Sequence, residues 1–292
     1  LITVIMALTF LNLVAVSGIL VGLIEGSMRE FRLYYAGDVF VSTLEGKQYI
    51  QNTREIMSII ETIPGVKAYT PRYIEGAVVE ANYQTRTSED DLPDTVSAAV
   101  VGINPYQEDA VTTLAQFVTI GEYLVPGEEG TILIGSDLLK QYSTVEAAGL
   151  DTIENVDIGS KVRLKIAGQV KEVTVKGILK SKTNNVALRV YMLDSELRRL
   201  IGRTDYNVDE IAIRVEDGVE PYDVRDALLA SGAGEDARVQ KWDEAIGAFL
   251  EDIKTTFNIL GTVIGSIGLV VASITVFIVI FVNAITRQKF IG

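Results

Sequence analysis

The chain of 292 residues contains no cysteine and no histidine. That excludes a disulfide framework, a Cys or His metal site, and a Ser-His-Asp or Cys-His nucleophile pair. Basic residues are scarce as well: 26 Lys and Arg stand against 39 Asp and Glu, for a net charge of −13. Nucleic acid needs a basic surface for its phosphates, so no nucleic-acid partner is expected. A phosphate-binding loop is missing too. The one Gly-Lys pair, Gly46-Lys47, is followed by Gln48 and lacks the upstream glycine. No Gly-x-Ser-x-Gly elbow occurs, and nothing singles out a carboxylate pair for glycoside hydrolysis. The chain reads as non-catalytic, with no cofactor, and is not expected to hydrolyse ATP itself.

Charge is also absent from both ends. Residues 1–24 carry none, and their only polar side chains are Thr3, Thr9, Asn12 and Ser17. Residues 259–285 form a second uncharged run of 27 residues. A bilayer core about 30 Å thick is crossed by about 20 helical residues, so both runs are long enough to span. The first is too long for a signal peptide and no Ala-x-Ala site follows it. The middle, 25–258, holds all 39 acids and 24 of the 26 bases, a net charge of −15. Two spans place both termini on one side. Arg287 and Lys289 follow the second run directly, which favours a cytoplasmic end and an extracytoplasmic middle. Membrane lipid is then a partner. Neither run carries a titratable group, which argues against an ion-driven carrier.

The middle alternates strand and helix signals. Residues 25–36 read as helix, with Gly37 placed to end it. Residues 38–43 read as a strand. Asn52 and Glu55 have capping-box spacing before a helix with Ile56, Ile59, Ile60 and Ile63 on one face, stopped by Pro64-Gly65. Residues 66–69 and 73–86 read as strands, the second broken near Gly76. The acidic loop 87–95 reads as a solvated surface and lacks EF-hand spacing. Further strands are expected over 96–103, 131–135, 187–193, 209–215 and 237–241. The segments 161–167 and 170–179 alternate around Ala167-Gly168-Gln169, a hairpin signal. Helices are expected over 107–117, 136–142 (capped by Ser136), 195–201 (capped by Asp194) and 221–231 (Pro at the first position). The fold class is therefore α/β, mixed α+β: an extracytoplasmic domain with two subdomains, flanked by two transmembrane α-helices. The expected domains are 1–36, transmembrane helix and stalk; 37–241, the extracytoplasmic core; and 242–292, stalk and second span. Within the core, 37–86 and 206–241 form a β-α-β subdomain, with a β-rich insert over 87–205.

The second stalk carries an apolar stripe. Trp242, Ile246, Phe249, Ile253, Phe257 and Leu260 are spaced 4, 3, 4, 4 and 3 apart, the α-helical period. No proline interrupts 242–285, so one continuous rod is expected, with a hinge at Gly261 or Gly265 as the alternative. Gly18 and Gly22, and Gly261 and Gly265, have the four-residue spacing that lets helices approach closely in lipid.

Several segments, in order, resemble the permease subunits of MacB/LolE/FtsX-like ABC transporters. They are Thr-Ile-Leu-Ile-Gly-Ser-Asp-Leu-Leu at 131–139, Val-Asp-Ile-Gly-Ser-Lys-Val-Arg-Leu at 156–164 with the strand 173–179, Val-Tyr-Met-Leu-Asp-Ser-Glu-Leu at 190–197, and Asp-Glu-Ile-Ala-Ile-Arg-Val at 209–215. The end, 286–292, is similar to the start of the family's cytoplasmic R-x-x-E-I-G segment, with Lys289 where Glu is common. The resemblance implies one span, a large extracytoplasmic domain and three further spans. It implies a homo- or heterodimer of permease subunits bound to a cytoplasmic ABC ATPase, with ATP-driven motion relayed through the stalks, and a chain here that stops after the second span. A two-span sensor with a ligand-binding extracytoplasmic domain is the alternative. A polysaccharide chain-length regulator would have a middle of long helices, which the strand content disfavours.

Overall fold

The computed structural model describes residues 2–86, 92–143 and 151–247, and of the C-terminal segment residues 262, 266, 268, 270, 271, 273, 274, 276–282 and 285. The chain divides into two units, Ser27–Ala245 and Leu1–Gly26 with Ile246–Gly292.

Helix α1 (Ile2–Phe31) begins in the second of these and is unbroken over 30 residues. Phe10, Leu11, Val14 and Ile19 on it are exposed, as are Val276, Phe277 and Phe281 in the C-terminal helical residues. Among the described residues, no helix is long and apolar enough to cross a membrane.

The unit Ser27–Ala245, the body, is mixed α/β. Its strands are β1 (Val39–Ser42), β2 (Val66–Glu80), β3 (Thr95–Ile103), β4 (Val118–Gly121), β5 (Thr131–Gly135), β6 (Lys161–Ile166), β7 (Gln169–Leu179), β8 (Arg189–Leu193), β9 (Glu210–Val215) and β10 (Arg238–Lys241). Its helices are α2 (Thr53–Thr62), α3 (Pro105–Thr112), α4 (Asn184–Ala187), α5 (Asp194–Leu200), α6 (Pro221–Ala230) and α7 (Trp242–Ala245). The long strand β2 serves two partners. Residues 66–72 pair with β9, which pairs with β1, which pairs with β10. Residues 73–80 pair with β3. From there the ladder runs β3 to β8, β8 to β5, β5 to β7, β7 to β6, and β6 back to β2. The body is thus a four-strand sheet and a closed six-strand barrel that share β2, with β4 added outside β7. Closure leaves those barrel strands no free edge. The alternation in β6, with Val162, Leu164 and Ile166 buried between exposed neighbours, fills the interior. Each such side chain contributes roughly 1.5–3 kcal/mol by leaving water.

Five expectations need correction. The rod over 242–285 does not form as one piece: α7 stops at Ala245, and Gly247 has φ +88°, a conformation that favours glycine over residues with a Cβ. Asn52 is itself left-handed (φ 49°) and gives α2 no side-chain cap; its amide donates to Asp236 Oδ2 at 2.9 Å instead. Residues 66–80 are one strand, because Gly76 stays in register opposite Ala99. The helix over 136–142 shrinks to a 3-10 turn, Ser136–Leu138, since Leu139 turns extended and bridges Ile153. The helix over 107–117 starts earlier and breaks at Thr113 (φ 50°) into α3 and a 3-10 turn, Leu114–Phe117. Strand β4 and helix α4 were not foreseen.

Candidate functional site

Alternation along β2 puts Thr70 and Arg72 on one face, and both are buried. Helix α3 lies across that face. Its start is fixed by Asn104, whose side-chain oxygen accepts from the backbone N–H of Tyr106 (3.1 Å) and Gln107 (3.3 Å), and by Pro105 in the first turn. Glu108 and Thr112, one turn apart, then stand over Arg72. Arg72 donates to both Glu108 oxygens, from Nε at 2.9 Å and from Nη2 at 2.6 Å. The hydroxyls of Thr70 (3.2 Å) and Thr112 (2.7 Å) donate to the same carboxylate. The pair is 1% exposed on each side. A buried pair of this kind is tolerated only when forked geometry and added donors offset the loss of water, and here both are present.

Three further residues complete the cluster. Arg72 Nη1 lies 3.4 Å from Glu210 Oε2, and its Nη2 donates to the backbone oxygen of Tyr35 at 2.7 Å. The Tyr35 hydroxyl donates to Glu210. The guanidiniums of Arg72 and Arg189 stand over the Tyr35 ring at 4.9 and 4.8 Å. Burial pushes the Tyr35 phenol far up, and Glu210 adds to this, so it remains a neutral donor. Burial works to lower Arg72, but Glu108 and Glu210 outweigh it and the shift is upward. Nearby, burial pushes Asp209 up to about 6, with the Ile74 amide (2.9 Å) and Arg203 (3.2 Å) opposing.

Tyr35 belongs to a π-helical turn, Arg32–Ala36, that follows α1 directly. The wider turn spreads neighbouring residues to different sides, and such turns recur at functional sites. Arg32 forks onto Asp38 Oδ1 (2.9 and 2.7 Å), while Asp38 Oδ2 accepts from the Val215 amide at 3.0 Å. Arg214 Nη1 is 3.3 Å from Asp38 and donates from Nη2 to the Leu33 oxygen at 3.2 Å. Between them Gly37 has φ +71°, and a Cβ there would lie 2.5 Å from the Ile213 oxygen. One turn earlier, Glu30 accepts from Ser181 Oγ (3.0 Å) and the Lys182 amide (2.7 Å). Tyr34 meets Phe117 with ring centroids 3.7 Å apart and the rings tilted by 44°. The arrangement grips, and among the described residues no group of acids could hold a metal ion. An open groove of about 420 Å³ between α2, β2 and α3 is crossed by the Tyr69–Glu61 hydrogen bond at 2.6 Å.

Of the described residues singled out in the sequence, Gly37 and Trp242 join this site: the Trp242 backbone N–H donates to the Asp38 backbone oxygen at 3.1 Å and Arg32 lies 5.4 Å from its ring centre. Ile246 follows α7 in a turn. Phe249, Ile253, Phe257, Gly261 and Gly265 lie outside the described residues. Gly18 and Gly22 sit on α1 with nothing within 4 Å of where a Cβ would stand. Sequence reasoning missed Tyr35, Arg72, Glu108, Arg189 and Glu210. The one available signal was Arg72 in phase with Thr70 on a strand face that is otherwise core.

No family model and no curated protein matches the chain. Solved structures do. The periplasmic region of MacB from Actinobacillus actinomycetemcomitans aligns with a TM-score of 0.50 and 14% identity, covering 80% of this chain and 97% of that one. The extracellular domain of the ABC-type transporter YknZ from Gram-positive bacteria aligns at 0.44 and 15%, covering 70% of this chain and 100% of that one. The body described above, a four-strand sheet and a barrel sharing β2, has the fold of the periplasmic region of MacB.

Proposed function

We propose that the chain is a permease subunit of an ABC transporter, with its body outside the cytoplasm and ATP hydrolysed by a separate cytoplasmic subunit. What carries this reading is the MacB-type fold set between two uncharged apolar runs, 1–24 and 259–285. Both runs are long enough for a span, and the acidic middle lacks any phosphate loop of its own. A second permease subunit, identical or related, completes a dimer in the membrane. Gly18, Gly22, Gly261 and Gly265 are the positions at which helices approach in lipid. ATP-driven motion reaches the body through residues 25–38, where the chain is helical and firmly seated.

The absence of native cysteine makes the topology directly testable. Ser58→Cys, on the exposed side of α2, should react with a membrane-impermeant maleimide in intact cells; protection until the cells are broken would place the body inside and overturn the reading. The tagged chain, purified from its native membrane, should bring a Walker-A ATPase with it. Its ATP hydrolysis should couple to transport, and inserting Gly-Pro after Ser27 should uncouple the two. A purified chain without ATPase activity would count against the partner assignment.

A further inference from the structure

We propose that residues 30–38 are a wedge that sets the arrangement of the four-strand sheet relative to the barrel, so that a displacement of α1 becomes a rotation between the two. This rests on the function proposed above for the source of the push, and on the body alone for the device.

Among the described strands the backbone passes between sheet and barrel twice: inside β2, where the pairing changes from β9 to β3 after residue 72, and between α5 and β9; α3, set between the barrel strands β3 and β4, also lies on the sheet through Glu108 and Arg72. A ladder that switches partner within one strand is a place where two rigid pieces pivot. The segment 30–38 touches both pieces. Toward the sheet, Asp38 binds the Val215 amide and Arg214, and the Tyr35 hydroxyl binds Glu210. Toward the barrel, Glu30 binds Ser181 and Lys182 just beyond β7, and Tyr34 meets Phe117 just before β4. Tyr35 carries one guanidinium from each side, Arg72 of the sheet-paired half of β2 and Arg189 of β8. The grips differ in kind. Those on the sheet are the ion pair of Asp38 with Arg214 and two hydrogen bonds, to the Val215 amide and to Glu210; those on the barrel are one carboxylate at the start of a loop, one ring contact and the Arg189 guanidinium over Tyr35. Pulling on the helix therefore loads the weaker barrel contacts first, while the sheet follows the leg.

The test uses the full chain in detergent, with spin labels on Ser58→Cys in α2 beside the sheet and Val170→Cys, 62% exposed, at the tip of the β6–β7 hairpin of the barrel. The parent should give one narrow distance distribution. Glu30→Ala with Tyr34→Ala, which frees the barrel side and leaves Arg32, Tyr35 and Asp38 in place, should broaden it about twofold while the thermal midpoint falls by only a few degrees. Glu30→Gln, which still accepts from Ser181 and Lys182, should restore the narrow distribution. Arg199→Ala, which removes an exposed pair with Glu129 (2.6 Å), should leave it narrow. A double-variant distribution that superimposes on the parent overturns the wedge, and so does equal broadening in Arg199→Ala. Should the double variant unfold, Tyr34→Ala alone carries the same expectation at roughly half the broadening. No ATPase or cargo enters the measurement, so the wedge can fail while the transporter reading stands, and the reverse.

Discussion

The body is held at both of its chain ends, but not equally. At the N-terminal leg, Arg32, Tyr35 and Asp38 reach into a network with Arg72, Glu108, Glu210 and Arg214, most of it sealed from water. At the C-terminal leg, α7 is one turn long, and apart from the Trp242 backbone bond to Asp38 and its ring beneath Arg32 its ties are those of a surface: Lys241 to Asp243 at 2.7 Å, and Glu244 to Arg225. Buried pairs with forked geometry are costly to break, whereas exposed pairs are screened and worth little. The glycines repeat the contrast. Gly37 and Gly247 both have positive φ, but a Cβ on Gly37 would strike the Ile213 backbone and one on Gly247 would meet nothing within 4 Å. One leg is an anchor and the other a loose joint.

Five substitutions probe that inequality. Arg72→Ala leaves Glu108 without its cation in a buried site. It should destabilise the body by about 3–5 kcal/mol in urea unfolding; a loss as small as that of a surface pair would remove the anchor. Gly37→Ala should cost about 2 kcal/mol or more, from strained φ and the backbone contact together, against about 1 kcal/mol for Gly247→Ala. Equal costs would mean the two legs are seated alike.

Asp209 sharpens the comparison by pH, because its N–H donates to the Arg72 oxygen at 2.9 Å at the edge of the anchor. Its folded carboxyl titrates at about 6 against an ordinary 3.8, so the folded chain holds this proton more tightly than the unfolded one. The stability it contributes is fully present below about pH 4 and is lost as pH rises through 6, a fall of about 2 kcal/mol. Asp209→Asn should flatten that part of the stability profile; an unchanged profile would show that other groups produce it. Smallest of all, Arg225→Ala at the C-terminal leg should change stability by less than about 1 kcal/mol, and a larger loss would make the joint firmer than its geometry suggests.

Much of the fold was legible because its signals are local. Period-two alternation marked β6 and β7 around Ala167-Gly168, and Pro221 marked the start of α6. Local signals also misled. The stripe from Trp242 to Leu260 has the right period for a helix, but periodicity records which residue types recur and cannot show that Gly247 leaves helical space. Asn52 looked like a cap by spacing, yet its backbone took the left-handed conformation itself. The anchor was invisible for a different reason. Arg72 meets Glu108 across 36 residues and Glu210 across 138, and no pattern along the chain links positions so far apart. Each of them, read alone, was an ordinary surface charge.

Strand β1 opens the body and β10 closes it, and the two lie side by side with Val39 opposite Lys241. The polypeptide therefore returns to its own doorstep after everything it does in between. Such a module is a cassette: excised between Asp38 and Trp242, it leaves a gap that a tight hairpin turn bridges. The same adjacency lets the module grow, shrink or be exchanged while the flanking segments keep their spacing.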